Sequence, residues 1–299
     1  MTRQRLSLLS ILVLPGAAFP ASLAPTDPSI NASLGLWLTD AASNFDGVTW
    51  ADSSGNGNDA TTVGLVNINT PVTFAAPTLD LITPTIDQNS SSLAFAGNTN
   101  DLMRSTAIFG GSGTNQLTIF SVHSISSFNG GNSSLTRPVG FGSVAANQAA
   151  GADYFNLASD PSVRKDNGQI GANNYSGNIP LGTSFIRVAR MDANGIDEWF
   201  NTSTNLNPVL SDFGTPFTTS TDDFFLGDLR AGPTPVPGVN GAGTTTSDFA
   251  ISQVIVYNSA LTDVQIEGIN EFLLTPVPEP GSLSLLGIAG LALLRRRSR

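Results

Sequence analysis

Between Ser33 and Tyr257 the sequence predicts an all-β sandwich or barrel. Three observations carry that expectation. The stretch is rich in Thr, Ser, Asn and Gly, its apolar runs are short and separated by turn signals, and no long helical period crosses it. A chain of 299 residues can bury a sizeable core, and sandwiches of about 200–250 residues commonly form one domain. One main domain is therefore expected, over residues 30–275.

The elements follow in chain order. MTRQRLSLLSILVLPGAAFPASLAP carries Arg3 and Arg5, then an apolar run from Leu6 to Leu14, then small residues. This is the anatomy of a secretory signal peptide, assigned to residues 1–24, with cleavage after Ala18 or near Ala24. Strands are expected in SLGLWL (33–38), SLAFAG (92–97), LTIFSVHSI (117–125), DYFNLA (153–158), SFIRVARM (184–191), GIDEWFN (195–201), DFFLGDL (223–229) and SDFAISQVIVY (247–257). Asn194-Gly195 between the fifth and sixth of these is a hairpin signal. One helix follows the last strand, in ALTDVQIEGINEFLL (260–274). Thr262 and Gln265 form a capping box, and Leu261 and Ile266 have the spacing of a hydrophobic staple, so the helix should start at Asp263. Ile266, Ile269, Phe272 and Leu273 share the face that would pack on the sandwich, and Pro276 ends the helix.

Ser282 to Leu294 is a mostly apolar run of 13 residues, followed by Arg295, Arg296 and Arg297. As a helix it would span about 20 Å against a hydrocarbon core of about 30 Å. A transient stop in the inner membrane fits it better than a permanent anchor, with the arginines held on the cytoplasmic side. Val277-Pro278-Glu279-Pro280, the apolar run and the basic tail together resemble the PEP-CTERM sorting signal of Gram-negative bacteria, over residues 277–299. The resemblance implies export, recognition of Pro278, Glu279 and Pro280 by an exosortase-type membrane enzyme, and removal of the tail during sorting to the cell surface or extracellular matrix.

The body has its own resemblance. LGLWLTDAASN, the loop WADSSGNGNDAT (50–61), SLAFAGNTNDLM and the closing SDFAISQVIVYNSALTDVQIEGINEFL are similar to segments of the laminin-G-like, concanavalin A-like lectin/glucanase superfamily. This implies a jelly roll of two antiparallel sheets, used mostly for binding and sometimes for glycan hydrolysis. The family often has an acidic residue where Gln253 stands, so a role tied to that carboxylate is not carried over.

Charge and composition narrow the function. Residues 26–275 hold 22 acids against 7 bases, about minus 15 at neutral pH. A body this acidic lacks the clustered Lys and Arg that phosphate contacts need, so no nucleic-acid partner is expected. The chain has no cysteine and a single histidine, His123. Disulfides, thiolate metal sites, Cys nucleophiles and a multi-histidine zinc site within one chain are excluded.

The candidate sites are few. Asp52, Asn56, Asn58 and Asp59 concentrate oxygen ligands that could hold calcium, although the EF-hand pattern fails because its twelfth position is Val63. The same residue types also build tight turns. Trp199, Tyr175, Trp50 and Asp197 are the glycan-binding candidates, since pyranose faces stack on aromatic rings and hydroxyls need polar partners. Concanavalin A-like glucanases carry Glu-x-Asp-x-x-Glu on one strand, and that pattern is absent here. Asp192, Asp197 and Glu198 come nearest, but neighbours 197 and 198 point to opposite sheet faces. His123 has no Gly-x-Ser-x-Gly elbow beside it and is expected to be a hydrogen-bonded strand residue.

The sequence therefore predicts an exported, surface-sorted, non-enzymatic protein that binds polysaccharide or serves structurally in a matrix or biofilm. The alternative is a divergent glycoside hydrolase or polysaccharide lyase.

Overall fold

The computed structural model describes residues 22–62, 77–80, 91–95, 102–126, 138–142, 154–157, 163–165, 168–170, 181–201, 210–213, 223–227 and 248–275. The strands are β1 (Leu34–Leu38), β2 (Thr49–Trp50), β3 (Ala60–Thr62), β4 (Thr78–Asp80), β5 (Ser92–Phe95), β6 (Leu102–Ser105), β7 (Leu117–Ile125) and β8 (Val139–Gly142). They continue as β9 (Tyr154–Leu157), β10 (Val163–Lys165), β11 (Gly168–Ile170), β12 (Phe185–Asp192), β13 (Gly195–Asn201), β14 (Leu210–Phe213), β15 (Phe224–Gly227) and β16 (Phe249–Tyr257). A single turn of helix, α1 (Ala41–Asn44), follows β1, and α2 (Asp263–Leu274) follows β16.

Among the described residues the strands make two eight-stranded sheets, with every pairing antiparallel. One runs β14-β13-β12-β7-β16-β5-β4, with β1 also on β16, and the other runs β11-β10-β9-β8-β15-β6-β3-β2. Their facing sides close over one apolar layer. Leu36, Ile119, Met191 and Val254 of the first sheet meet Trp50, Met103, Phe141 and Phe224 of the second. The fold is thus the two-sheet sandwich that the strand pattern predicts.

The first sheet is covered on both faces, which is why β7 and β16 are buried along their full length. Its inner face meets the second sheet, and its outer face meets α2. Phe120, Val122, Ile186, Val188, Trp199 and Ile255 pack there against Ile266, Ile269 and Leu273 of the helix. Each such aliphatic side chain taken from water contributes about 1.5–3 kcal/mol. The helix begins where its capping box places it. The Gln265 amide N–H donates to Thr262 Oγ1 at 3.4 Å, and the Thr262 amide N–H donates to Gln265 Oε1 at 2.9 Å. Phe272 is half-buried, edge-to-face with Trp37 at 6.2 Å. The incoming segment also lies on this layer: the Leu23 amide donates to the Gly268 carbonyl at 2.9 Å, and the Tyr257 hydroxyl donates to the Pro25 carbonyl at 3.1 Å.

Two local irregularities could not be read from alternation. β16 is paired to β7 through Ile251↔His123 and then Gln253↔Val122, so Ser252 is the extra residue of a bulge. Past it, Val254 and Val256 face the inner core while Gln253 turns to the helix side and accepts from the Trp37 indole N–H at 3.1 Å. In the β12–β13 hairpin the two turn residues are Ala193 and Asn194, one step before the Asn-Gly pair, with Asp192 opposite Gly195. The Asp192 carboxylate accepts from the Asn194 amide at 2.7 Å, and Gly195 takes φ +143°, which suits glycine.

No helix among the described residues is long and apolar enough to cross a membrane. The expected signal peptide, apart from its last three residues, and the expected apolar run at 282–294 lie outside the described residues.

Candidate functional site

One end of the sandwich carries a cleft of about 410 Å³. Its walls come from the start of β1, the loop before β3, the loop after β6 and the residue after β16. Among the described residues that line it, Ser33, Asn56, Asn58 and Asn258 are polar, Phe109 is aromatic and none is charged.

Hydrogen bonds hold the three amides. Asn58 is the hub: its Nδ2 donates to the carbonyls of Gly35 at 2.7 Å and Ile108 at 3.1 Å, and its own carbonyl accepts from Ser105 Oγ at 2.8 Å. Asn56 Nδ2 donates to the Leu34 carbonyl at 2.7 Å. Both amides are thereby oriented through their donor ends, and their Oδ1 atoms remain acceptors. Asn258 is tied by its backbone N–H to the Ser33 carbonyl at 2.7 Å and through one end of its amide to Thr114 Oγ1. Phe109 lies against the backbone of Gly35, where an added Cβ would sit 2.0 Å from the ring. Glycine at position 35 is what lets an aromatic wall close on β1.

Ala107, also in the lining, has φ +57°, a conformation that costs a residue with a Cβ about 1–2 kcal/mol. The surroundings enforce it. Its N–H donates to Asp223 Oδ1 at 3.1 Å, its carbonyl accepts from Gly110 N–H at 2.8 Å, and Asp223 is itself paired with Arg104. Strained backbone held in this way recurs at ligand sites.

The Asp52–Asp59 loop forms the latch behind the cleft. Asp52 Oδ1 accepts from the amides of Trp37 and Ser54, both at 2.9 Å. Its Oδ2 accepts from Ser54 Oγ at 2.6 Å and Asn58 N–H at 3.0 Å. Asp59 Oδ1 accepts from the Asp52 amide at 2.8 Å. With the lone pairs of Asp52 taken by donors, and the Asn56 and Asn58 donor ends spent on strand carbonyls, the loop is a turn that ties β1 to its neighbours. Both Asp52 oxygens are spent inside that turn, and among the described residues no group of three or more His, Asp or Glu side chains is placed to hold a metal ion, so calcium at Asp52, Asn56, Asn58 and Asp59 stays an expectation of the sequence.

The aromatic candidates are placed differently from expectation. Trp199 is 4% exposed. It does share a face with Asp197, but α2 covers that face, and the Arg190 guanidinium lies 5.2 Å from its ring centre. Trp50 is wholly buried in the inner core, its indole N–H donating to the Thr39 carbonyl at 3.1 Å. Neither ring can stack on a sugar. Asp197 accepts from Arg190 Nη2 at 2.6 Å, and the same guanidinium reaches Asp263 at 2.6 Å and the Leu261 carbonyl at 3.0 Å, which pins the start of α2 to the sheet. Tyr175 lies outside the described residues, as does the whole sorting motif.

Polar groups also lie between the sheets. Arg187 and Glu198 are fully buried and ion-paired on the inner face of β12 and β13. Ser121 is the cross-strand partner of Arg187, and its Oγ is 3.2 Å from His123 Nδ1. The His123 ring meets Phe185 edge-on at 4.3 Å, and its Nε2 has no partner among the described residues. Burial, and then the Arg187 charge, push the His123 pKa down to about 3, so it is a neutral core residue at physiological pH.

The comparisons with known proteins divide along the same line as the chain. Residues 276–298 match the PEP-CTERM protein-sorting motif. That motif implies an exported protein recognised by an exosortase, a membrane enzyme, in the envelope of a Gram-negative bacterium. No curated protein matches the chain.

Solved structures match the sandwich. An arabinofuranosidase complexed with arabinofuranosyl-α-1,2-xylobiose aligns at TM-score 0.52 and 11% identity, over 76% of this chain and 50% of that one. The Trypanosoma rangeli sialidase in complex with 2,3-difluoro-KDN aligns at TM-score 0.51 and 16% identity, over 86% of this chain and 36% of that one. At these identities the likeness shows the fold alone, and this chain spans about a third of the sialidase and half of the arabinofuranosidase. The matches still correct the expectation of a non-enzymatic protein. That expectation rested on the missing Glu-x-Asp-x-x-Glu pattern. The two solved structures aligned above are of a sialidase and an arabinofuranosidase, so a single absent pattern is no argument against catalysis.

Proposed function

We propose that this is an exported cell-surface protein whose sandwich, residues 30–275, acts on polysaccharide. In this reading the signal peptide at 1–24 directs export, the apolar run at 282–294 pauses in the inner membrane, and an exosortase-type enzyme recognises Pro278-Glu279-Pro280 and removes the tail. The observation that carries the reading is the sorting-motif match at 276–298, which follows directly on α2 and its cap at Thr275.

The glycan part is supported by a cleft beside the Phe109 ring whose described lining is amide-bearing and uncharged. What the matched solved structures are named for, a sialidase and an arabinofuranosidase, supports it as well. Those names favour turnover of a bound glycan by hydrolysis over passive retention.

A polysaccharide array with the exported protein, scored for retention and for released product, tests this. Released oligosaccharide supports turnover, and retention without release supports a lectin-like role. Silence across the array sinks the glycan reading and leaves a structural matrix role.

A further inference from the structure

We infer that the export signal is cut after Ala18, inside the 1–24 span, so that Phe19 becomes the mature N-terminus and the segment from Leu23 to Ser33 stays in the working protein as a strap on the α2 side of the sandwich. The inference rests on the export reading above. The sequence offers two cuts, because a signal peptidase takes small residues at the first and third positions before the bond, and both Gly16-Ala17-Ala18 and Ser22-Leu23-Ala24 supply them. The fold separates the two.

A leader is lost from the mature protein, so residues on which the folded body depends lie after the cut. Leu23 and Pro25 are such residues. The Leu23 amide N–H donates to the Gly268 carbonyl of α2 at 2.9 Å, and its side chain packs on the buried layer that holds Tyr257, Ile266 and Ile269. Pro25 is buried, and its carbonyl accepts from the Tyr257 hydroxyl at 3.1 Å. Tyr257 is wholly buried, so its hydroxyl needs that acceptor. These two partners stand 232 positions apart in the chain, a pairing that a discarded leader has no use for. The strap then turns toward β1. The Asp27 amide donates to the Ala24 carbonyl at 2.9 Å, Asp27 Oδ1 accepts from the Ser29 amide at 2.9 Å and the Ser29 hydroxyl at 2.7 Å, and Ile30 enters the same buried layer.

A cut after Ala24 would undo this arrangement. It would remove the Leu23 contacts and the Ala24 carbonyl that holds the turn. It would also leave an amine, charged at neutral pH, on buried Pro25, where desolvation opposes it. The bond to be broken, Ala24-Pro25, is a tertiary amide with the proline ring on the leaving nitrogen. A cut after Ala18 leaves Phe19, Pro20, Ala21 and Ser22 ahead of Leu23 and touches none of these contacts.

Terminal peptide sequencing of the protein recovered from the surface of the producing cells tests the assignment. The same cells express Ala18→Leu and Ala24→Leu forms of the full chain, and precursor and processed protein are quantified by mass. The expected result is a mature chain that begins at Phe19, a fall of about tenfold or more in processed protein for Ala18→Leu, and an unchanged Phe19 terminus for Ala24→Leu. A mature chain that begins at Pro25 overturns this inference and leaves the export reading standing, as does processing that Ala24→Leu blocks and Ala18→Leu does not. Surface protein that still begins at Met1 overturns the signal-peptide reading and this inference together. The sequence of the unaltered protein decides the matter even if a variant fails to fold.

Discussion

Replacing His123 by Gln should remove a specific part of the protein's acid sensitivity. In the fold the imidazole is buried between the sheets beside Arg187, and its pKa is held down at about 3. In the unfolded chain it returns to about 6.5. Between these values the unfolded state binds a proton that the native state does not, so stability falls as pH falls. The contribution is fully present above about pH 6.5 and is drawn down through the interval to about pH 3. Linkage over those two values gives a loss of about 2 kcal/mol by pH 5 and about 3 kcal/mol by pH 4. Gln is neutral throughout and keeps a polar end within reach of Ser121. Urea unfolding of the exported protein and of His123→Gln at pH 8, 6, 5 and 4 measures the effect, because the carboxylates titrate alike in both. The difference between the two curves should change by about 2–3 kcal/mol in favour of the variant on acidification. Parallel curves would refute the reasoning.

Other residues test other parts of the account. Glu198→Gln leaves Arg187 charged in the core and should cost about 3–5 kcal/mol, whereas Arg187→Met with Glu198→Leu should cost far less, as denaturant midpoints would show. Thr262→Ala removes the cap of α2 and should cost about 1 kcal/mol, read by the same titration. Gly35→Ala brings a Cβ into the Phe109 ring, so it should lower the melting temperature and weaken any oligosaccharide retention together; a variant with normal stability and binding would separate that contact from the cleft.

Much of the fold was legible because its signals are local. β7 and β13 span the same residues that alternation and β-branched content predict, and α2 starts where the Thr262–Gln265 box puts it. Parity put Asp197 and Glu198 on opposite faces, and Glu198 is indeed buried on the inner face with Ile196 while Asp197 lies on the helix side. The short strands were missed for a physical reason. β2 has two residues and β3 three, too few for a period to show, and their pairing depends on partners such as β6, some 40 positions away. Trp199 misled because parity gives a face but not what covers it, and the cover is α2, more than 60 residues later. The bulge at Ser252 re-aims Gln253 in a way that alternation cannot anticipate.

The cleft was the least legible feature, since it joins residues from four separated stretches between Ala32 and Asn258. Its one local hint was Phe109 ahead of Gly110 and Gly111, an aromatic at the edge of a turn. The Asp52–Asp59 loop, in contrast, stood out for its oxygen content, and both oxygens of Asp52 serve the turn.

The central claim is that the tail is a sorting handle removed on the way to the cell surface. Mass spectrometry of the protein recovered from the surface of the producing cells tests it most directly. The account predicts peptides from the sandwich and none covering Leu283 to Arg299, with the tail retained when the exosortase is deleted. An abundant intact tail on surface protein from cells with the enzyme would contradict it.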